Sequence, residues 1–567
     1  MNCNRLTAPK TNWAIIFIFL AALSIRLLYI FQILGFPLTE YIVKSDVFDQ
    51  YTYNTSAMKI LSGGWIGSEV FGKEPLYPYF LAVIYKIFGY SHIAVYIMQA
   101  ILTSLGVLFL YRIADLLFNR TAGYIAAFIL AFYSLSIYYD AFLLRESFIT
   151  SLNIFLLYLI LKADRKNRPG AWFLAGIALG FLMLARHNIL LPFVLIYIFF
   201  IKKTVKLAAM YKYALMLIAG FFMLIIPVLI RNYAVSDYKY IGISKEVNAF
   251  WAGNNPASSG VDVDWSMEYN HLNNRAGGSI KKTTIVFFNE LKNNPRTYAL
   301  LYLRKIWMFF NSYEAPSNTN YYLYRNEFPT VLRWPLFNFQ FICALSLMGI
   351  FLSFFAKPKP YIAYIVISVL SVSVILFHIQ DRFRLPAVPF FIIFASYSIY
   401  YIMEKIINRS YLKTSIAIII SLFLFIMIRP DLTYAGFRPE QDKVRVIDRT
   451  NLALAYVDNY MKYRDNSDLE KALKQCNIAV KEERGYFIAY SIKGRIYFLE
   501  NRLADSAEEY RKALLYNSRN PFLYNDLAGV YCEQKDYRKA LLYAKRALRL
   551  FPENKISENN ISLIPER

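Results

Sequence analysis

Residues 14–36 read AIIFIFLAALSIRLLYIFQILGF, with Arg26 the one charge among them. A run of this length suffices for a helix across a bilayer, which takes roughly 20 apolar residues. Further apolar blocks follow at Ile97–Phe118 and Ser346–Phe355, too many for one water-soluble core. The 567 residues are 57% hydrophobic and 18% charged, against roughly 25% charged in ordinary globular chains. Mean hydropathy is +0.33. The chain reads as a multi-span, all-α membrane protein with soluble chain attached. Arg26 falls inside the first span, where an unpaired charge is costly. It is expected to pair with a carboxylate or backbone within the bundle.

Working outward, the spans are expected at 13–35, 92–117, 122–139, 143–162, 171–185, 189–201, 211–230, 336–355, 361–377, 386–403 and 412–428. The N-terminus, MNCNRLTAPK, has no small-residue cleavage pattern and reads as leading into a retained first span. Basic turns such as KADRKNR (162–168) and 202–206, KKTVK, favour the cytoplasm. With the N-terminus inside, eleven spans put all the basic turns there. A first loop (about 37–91), a larger segment (about 231–335) and the C-terminal tail then lie outside. The expected location is a cell membrane, the bacterial inner membrane in particular. The expected division is a membrane domain over 1–430, a linker over 431–452, repeats over 453–554 and a tail over 555–567.

The net charge is +24. Residues 431–567 hold 24 basic and 20 acidic residues, which leaves 39 and 19 in 1–430. A basic membrane part suits anionic lipid and lipid-linked phosphates; with no basic soluble patch, a nucleic-acid partner is not expected. Cys3, Cys343, Cys476 and Cys532 form no CxxC or Cys/His pair, so neither zinc nor a disulfide framework is indicated. No metal and no cofactor are expected.

The tail repeats. Ala472, Ser506 and Ala540 recur every 34 residues, as do Ala479, Ala513 and Ala547, and Tyr456, Tyr490 and Tyr524. A 34-residue period with small residues where paired helices cross resembles the tetratricopeptide repeat, an α-solenoid. Such a groove takes a peptide, glycan or partner protein, and Tyr456, Tyr490 and Tyr524 mark it.

In the first loop Asp49, Tyr53 and Ala57 lie on one face of a helix, followed by Gly63-Gly64-Trp65 and KEPLYPYFLA (73–82). Residues 75–88 are apolar but short, and read as an interfacial helix. Later come Tyr138–Glu146 (YYDAFLLRE), Leu184–Asn188 (LARHN), Arg231 after Pro227, Phe250–Asn255 (FWAGNN), Asn294-Pro-Arg, and His378–Pro386 (HIQDRFRLP). In this order, over about residues 13–405, the chain resembles the GT-C membrane glycosyltransferases. It is most similar to the protein O-mannosyltransferases (glycosyltransferase family 39) and the bacterial aminoarabinose lipid A transferases. Where that family often has Asp-Glu in its first loop, this chain has Asp49-Gln50.

The resemblance implies transfer of a sugar from a polyprenyl-phosphate carrier to a protein, glycan or lipid acceptor outside the membrane, with inversion. A carboxylate deprotonating the acceptor hydroxyl is then Asp49, with Asp46 as the alternative. Lys73 and Glu74 match the family's Lys/Glu beside Pro, near the lipid phosphate. Asp140, Arg145 and Glu146 fall near the same cavity, and Glu146 is open to a plain pairing with Arg145. Arg186, Arg231, Arg382 and Arg384 are candidate phosphate clamps, because guanidinium pairs bidentately with phosphate oxygens. The plainer alternative is that they snorkel to lipid headgroups. His187 and His378 read as hydrogen-bonding residues. Aromatic and amide residues of 231–335 (Trp251, Trp265, Trp307, Asn254, Asn255) suit a sugar site or an interfacial cap equally. Two other readings stand beside this one: a polyprenyl-diphosphate-glycan ligase or polymerase, and a non-catalytic scaffold recruiting partners through its repeats.

Overall fold

The computed structural model describes residues 13–166, 168–187, 190–201, 206–244, 249–261, 267–277, 280–429 and 444–552. Cys3, Asn188, Trp265, most of the 431–452 linker and the 555–567 tail lie outside them. The described elements are helices, with no strand among them. In order they are α1 (Trp13–Ile33), α2 (Pro37–Lys44), α3 (Asp49–Gly63), α4 (Leu76–Phe88), α5 (His92–Leu117), α6 (Arg120–Ala131), α7 (Ser134–Tyr139), α8 (Glu146–Lys166) and α9 (Pro169–Ala185). Then come α10 (Leu190–Ile196), continued by a π-helical turn (Tyr197–Ile201), α11 (Leu207–Val235), α12 (Ala249–Ala252), α13 (Met267–Ala276), α14 (Ile280–Asn293), α15 (Pro295–Phe310) and α16 (Tyr321–Glu327). The membrane part closes with α17 (Phe339–Ser353), α18 (Tyr361–Leu376), α19 (Asp381–Arg384), α20 (Val388–Ile407) and α21 (Tyr411–Met427). The tail holds α22 (Val446–Tyr463), α23 (Asn466–Glu482), α24 (Phe487–Leu499), α25 (Leu503–Tyr516), α26 (Pro521–Glu533) and α27 (Tyr537–Leu550).

Among the described residues, five helical stretches are long and apolar enough to cross a membrane: Trp13–Ile33, His92–Leu117, Glu146–Lys166, Leu207–Val235 and Asp381–Ile407. Shorter apolar helices stand at the other expected spans. The chain is a multi-pass membrane protein.

One expected span is not a single helix. Residues 122–139 break at Phe132–Tyr133 into α6 and α7, where Ser134 N donates to the Phe337 carbonyl (3.0 Å) and Phe337 N to that of Phe132 (3.0 Å). The break frees helix-end carbonyls, and Arg26 uses them. Its guanidinium donates to the carbonyls of Ala131 (2.9 Å) and Leu130 (3.2 Å) and pairs with Asp140 (2.9 Å), all fully buried. The mid-span charge is thus answered inside the bundle.

The chain divides into two compact units. The first comprises Met1–Ile33 and Val47–Asp442, the second Leu34–Asp46 and Lys443–Arg567. In the first, α9 and α11 pack so closely that a Cβ on Gly176 would sit 2.1 Å from the Leu217 carbonyl oxygen, and one on Gly220 2.2 Å from that of Phe173. Small residues permit this approach, which makes dispersion contacts available where the hydrophobic effect is absent.

In the second unit, the helices of the tail pack in consecutive pairs. Ala472, Ser506 and Ala540 are fully buried, as are Ala479, Ala513 and Ala547. Ser506 Oγ donates to the Gly494 carbonyl (2.8 Å) where α24 and α25 cross. Tyr490 belongs to a packed cluster with Ala507, Tyr510 and Leu527. Tyr524 is buried and donates to the Ser518 carbonyl (3.0 Å). These two rings are buried, and Tyr456 is partly buried.

The same unit includes α2, expected simply as part of the first loop. Pro37 starts the helix, and Glu40 and Lys44 pair across one turn (2.7 Å). Leu38, Ile42 and Val43 are buried, and α2 packs on α22, with Lys462 reaching Glu40 at 3.3 Å. Burying each apolar side chain contributes roughly 1.5–3 kcal/mol, while exposed ion pairs are screened by solvent and add little. The apolar face carries this docking.

Candidate active site

The first unit gathers charged side chains from five separate stretches. Asp49 opens α3, where a carboxylate meets the positive end of the helix dipole. Its Oδ2 pairs with Arg382 (2.6 Å) and its Oδ1 with Lys73. Burial would raise the Asp49 carboxyl. The charges and hydrogen bonds of Arg382 and Lys73 outweigh that and hold it well below the usual carboxylate range. Beside it, Glu74 is buried and pairs with Arg145. It also accepts from the His187 backbone N–H (3.2 Å) and lies 3.0 Å from His187 Nδ1. Burial opposes ionisation of Glu74, but Arg145 and His187 keep it well below its ordinary value.

Aromatic rings space these cations. Lys73 Nζ lies 5.2 Å and the Arg145 guanidinium 6.0 Å from the Tyr53 ring centre. Phe383 carries Arg186 at 4.4 Å and Arg382 at 4.6 Å. Arg186 is lowered to about 10, first by burial and then by the nearby charge of Arg145. That like-charge penalty is what a bound anion relieves. Next to Arg186 and His187, a pocket opens with apolar walls from Ile149, Leu182, Leu370 and Pro386.

Glu146, first residue of α8, is 1% exposed, and its Oε2 has no hydrogen-bond partner among the described residues. Arg145 pairs with Glu74. The loop preceding α8 is propped by Gln99 of α5, whose Nε2 donates to the carbonyls of Asp140 (3.0 Å) and Phe142 (2.9 Å). Asp381 accepts from Tyr139 Oη (2.7 Å) and from the backbone N–H of Arg382 (2.6 Å), which fixes the turn that presents Arg382.

Thus Asp49, Lys73, Glu74, Arg145, Arg186 and Arg382 come together, with Glu146 close to the charges of Arg186 and Arg382. The remaining candidates stand elsewhere. Asp140 answers Arg26 and accepts from Thr103 (2.8 Å). Arg384 is buried against Glu314 (2.6 Å) and the carbonyls of Phe309, Asn311 and Tyr313, a structural tie between loops. Arg231 donates to the Ile66 carbonyl (2.7 Å) and lies 4.0 Å over Phe71, holding the Trp65–Gly72 turn. Asp46 is exposed and falls in the second unit. Sequence reasoning missed Phe383 and Asp381; the one available signal was their position in the Asp-Arg-Phe-Arg run. Among the described residues no group of three or more His, Cys, Asp or Glu could hold a metal.

Residues 72–230 match the family model described as dolichyl-phosphate-mannose-protein mannosyltransferase. No curated protein matches the chain. Among solved structures it is similar to the apo oligosaccharyltransferase of Archaeoglobus fulgidus: 14% identity and TM-score 0.44, over 80% of this chain and 60% of that one. It is also similar to the same organism's oligosaccharyltransferase AglB in complex with an inhibitory peptide and a dolichol-phosphate: 13% identity and TM-score 0.42, over 79% and 59%. A third is ArnT from Cupriavidus metallidurans bound to undecaprenyl phosphate: 12% identity and TM-score 0.36, over 97% and 78%. The chain spans 56–60% of the length of the archaeal enzymes it matches. Residues 72–230, which are similar to the dolichyl-phosphate-mannose-protein mannosyltransferase family, carry Lys73, Glu74, Arg145, Glu146 and Arg186 of the gathered site.

Proposed function

We propose that the chain is an inverting glycosyltransferase that takes a sugar from a polyprenyl-phosphate carrier and gives it to a hydroxyl on a protein, glycan or lipid acceptor. The observation that carries this is the clamped carboxylate: Asp49 held between Lys73 and Arg382, with Arg186 lining a pocket nearby. A carboxylate with two cations on it is a weak base. A donor phosphate entering among Lys73, Arg382 and Arg186 competes for those cations, and Asp49 becomes more basic as its counter-ions turn to the phosphate. The same charges then stabilise the leaving phosphate as the bond to the anomeric carbon breaks. Asp49 takes the proton of the incoming hydroxyl. Glu74 and Glu146 keep the guanidinium groups in place without neutralising all of them.

The membrane arrangement proposed with it has eleven spans, a cytoplasmic N-terminus and an extracytoplasmic first loop and tail, in a bacterial inner membrane. The grouping of Leu34–Asp46 with the tail in one compact unit supports placing both on one side. The tail is read as three tetratricopeptide repeats. The test is Asp49→Asn and Asp46→Asn, made separately and assayed with undecaprenyl-phosphate mannose. General-base loss predicts a fall of about 10²–10⁴-fold for Asp49→Asn and near-normal turnover for Asp46→Asn. The opposite pattern would transfer the base role to Asp46.

A further inference from the structure

We propose that α27 of the tail docks on an anionic lipid surface, with its cations on the headgroups and its exposed apolar side chains in the interface. The helix reads YRKALLYAKRALRL over Tyr537–Leu550 and holds five Lys and Arg but no Asp or Glu. Ala540, Ala544 and Ala547 are fully buried and form the side that packs within the tail. Arg538, Leu542, Lys545 and Arg549 are all exposed. At 3.6 residues per turn these four positions fall within a sector of about 60° opposite the alanines, along roughly 16 Å of helix.

The preceding helices of the tail are not built this way. Both α23 and α25 mix acids with their bases: Lys471 pairs with Asp468, and Lys512 with Glu508 and Glu509. On α27, Lys539 pairs with the N-cap residue Asp536 (2.7 Å) and Arg546 lies over the Tyr524 ring (5.1 Å). Leu542 is 63% exposed in the middle of the basic face, and Leu550, Phe551 and Phe522 are exposed at its end. An apolar patch rimmed by charge marks a surface for protein or membrane. The spacing and the charge favour membrane. A protein partner would need acids matched to each turn of α27, whereas an anionic bilayer offers mobile headgroups to all of them at once. Leucine and phenylalanine enter the acyl boundary while Lys and Arg snorkel outward. The bilayer that anchors the chain is also present at high effective concentration.

The experiment uses the full chain in nanodiscs of phosphatidylcholine, with and without about 30% phosphatidylglycerol as the source of surface charge. Lysine acetylation by a neutral N-hydroxysuccinimide ester is followed residue by residue by mass spectrometry. Lys545 should react about fivefold more slowly in the anionic discs, the effect of a basic face held against charged headgroups. Lys474, exposed on α23, should react alike in both and serves as the internal control. At about 1 M salt, where the Debye length is about 3 Å, the two Lys545 rates should converge. Arg538→Gln with Arg549→Gln, both at exposed positions, should restore the Lys545 rate in anionic discs without lowering the thermal midpoint. Equal Lys545 rates in the two lipids overturn the proposal, whether both are fast (an uncovered face) or both slow (a face covered by protein). Equal slowing of Lys474 also overturns it, as a general effect of the charged surface. Slowing that persists in the double variant overturns the role of α27.

Discussion

Lys305 of α15 is fully buried, and among the described residues it has no ion pair. Its ammonium donates to Asn254 Oδ1 (2.8 Å) and to the Phe377 carbonyl (2.6 Å), which ties the Phe250–Asn255 turn to the segment that leads into Asp381 and Arg382. Burial lowers it to about 7, from roughly 10.4 in an unfolded chain. Between those values the unfolded chain binds the proton and the folded chain does not, so stability rises with pH there, by at most about 1.4 kcal/mol per unit. Below about 7 both states are charged and the burial cost is present in full. Thermal midpoints between pH 6 and 9 should therefore climb in the wild type. In Lys305→Met that climb should vanish, with a baseline loss of about 1–3 kcal/mol for the unpaired acceptors. A climb that persists in the variant would assign it to another group. Much of the site around Asp49 was legible, because Asp49, Lys73, Glu74, Arg145 and Arg186 each sit in a short polar motif beside an apolar run. Arg384 and Arg231 were not separable from Arg382 by sequence. All lie near helix ends, and only the fold shows which end meets Glu314 or Ile66 and which meets Asp49.

At the scale of elements, apolar runs located the long helices within a few residues, because hydrophobic length is a local property. The break between α6 and α7 was not legible: residues 122–139 carry no charge and no proline, and the break depends on a backbone exchange with Phe337 more than 200 positions away. The docking of α2 was hidden for the same reason. The α9–α11 contact offers a direct test of packing. Gly176→Leu places side-chain atoms where the Leu217 carbonyl already stands, and overpacking of this kind costs about 1–3 kcal/mol or more. Gly170→Ala, on the same helix, meets nothing within 4 Å and serves as the control. Detergent-solubilised Gly176→Leu should melt lower than the wild type while Gly170→Ala does not; equal midpoints would mean that the two helices can separate freely.

At the scale of the whole molecule, removing Lys443–Arg567 separates donor handling from its use. The gathered cations all lie in the first unit, so the truncated chain should bind undecaprenyl phosphate within a few-fold of the intact protein. Turnover on a natural acceptor should fall, because a repeat tail of this kind takes a peptide, glycan or partner protein. Truncation that left turnover unchanged would confine the tail to partner recruitment. The pairing of Arg26 with Asp140 bears on how such a chain is made. The two residues are 114 positions apart, and at about 5–20 residues per second the ribosome takes roughly 6–23 s to supply the second after the first. During that interval α1 carries a charge whose insertion near a helix centre costs about 2.5–3.5 kcal/mol. Until Asp140 is made, the apolar residues on either side of Arg26 are what offsets that cost.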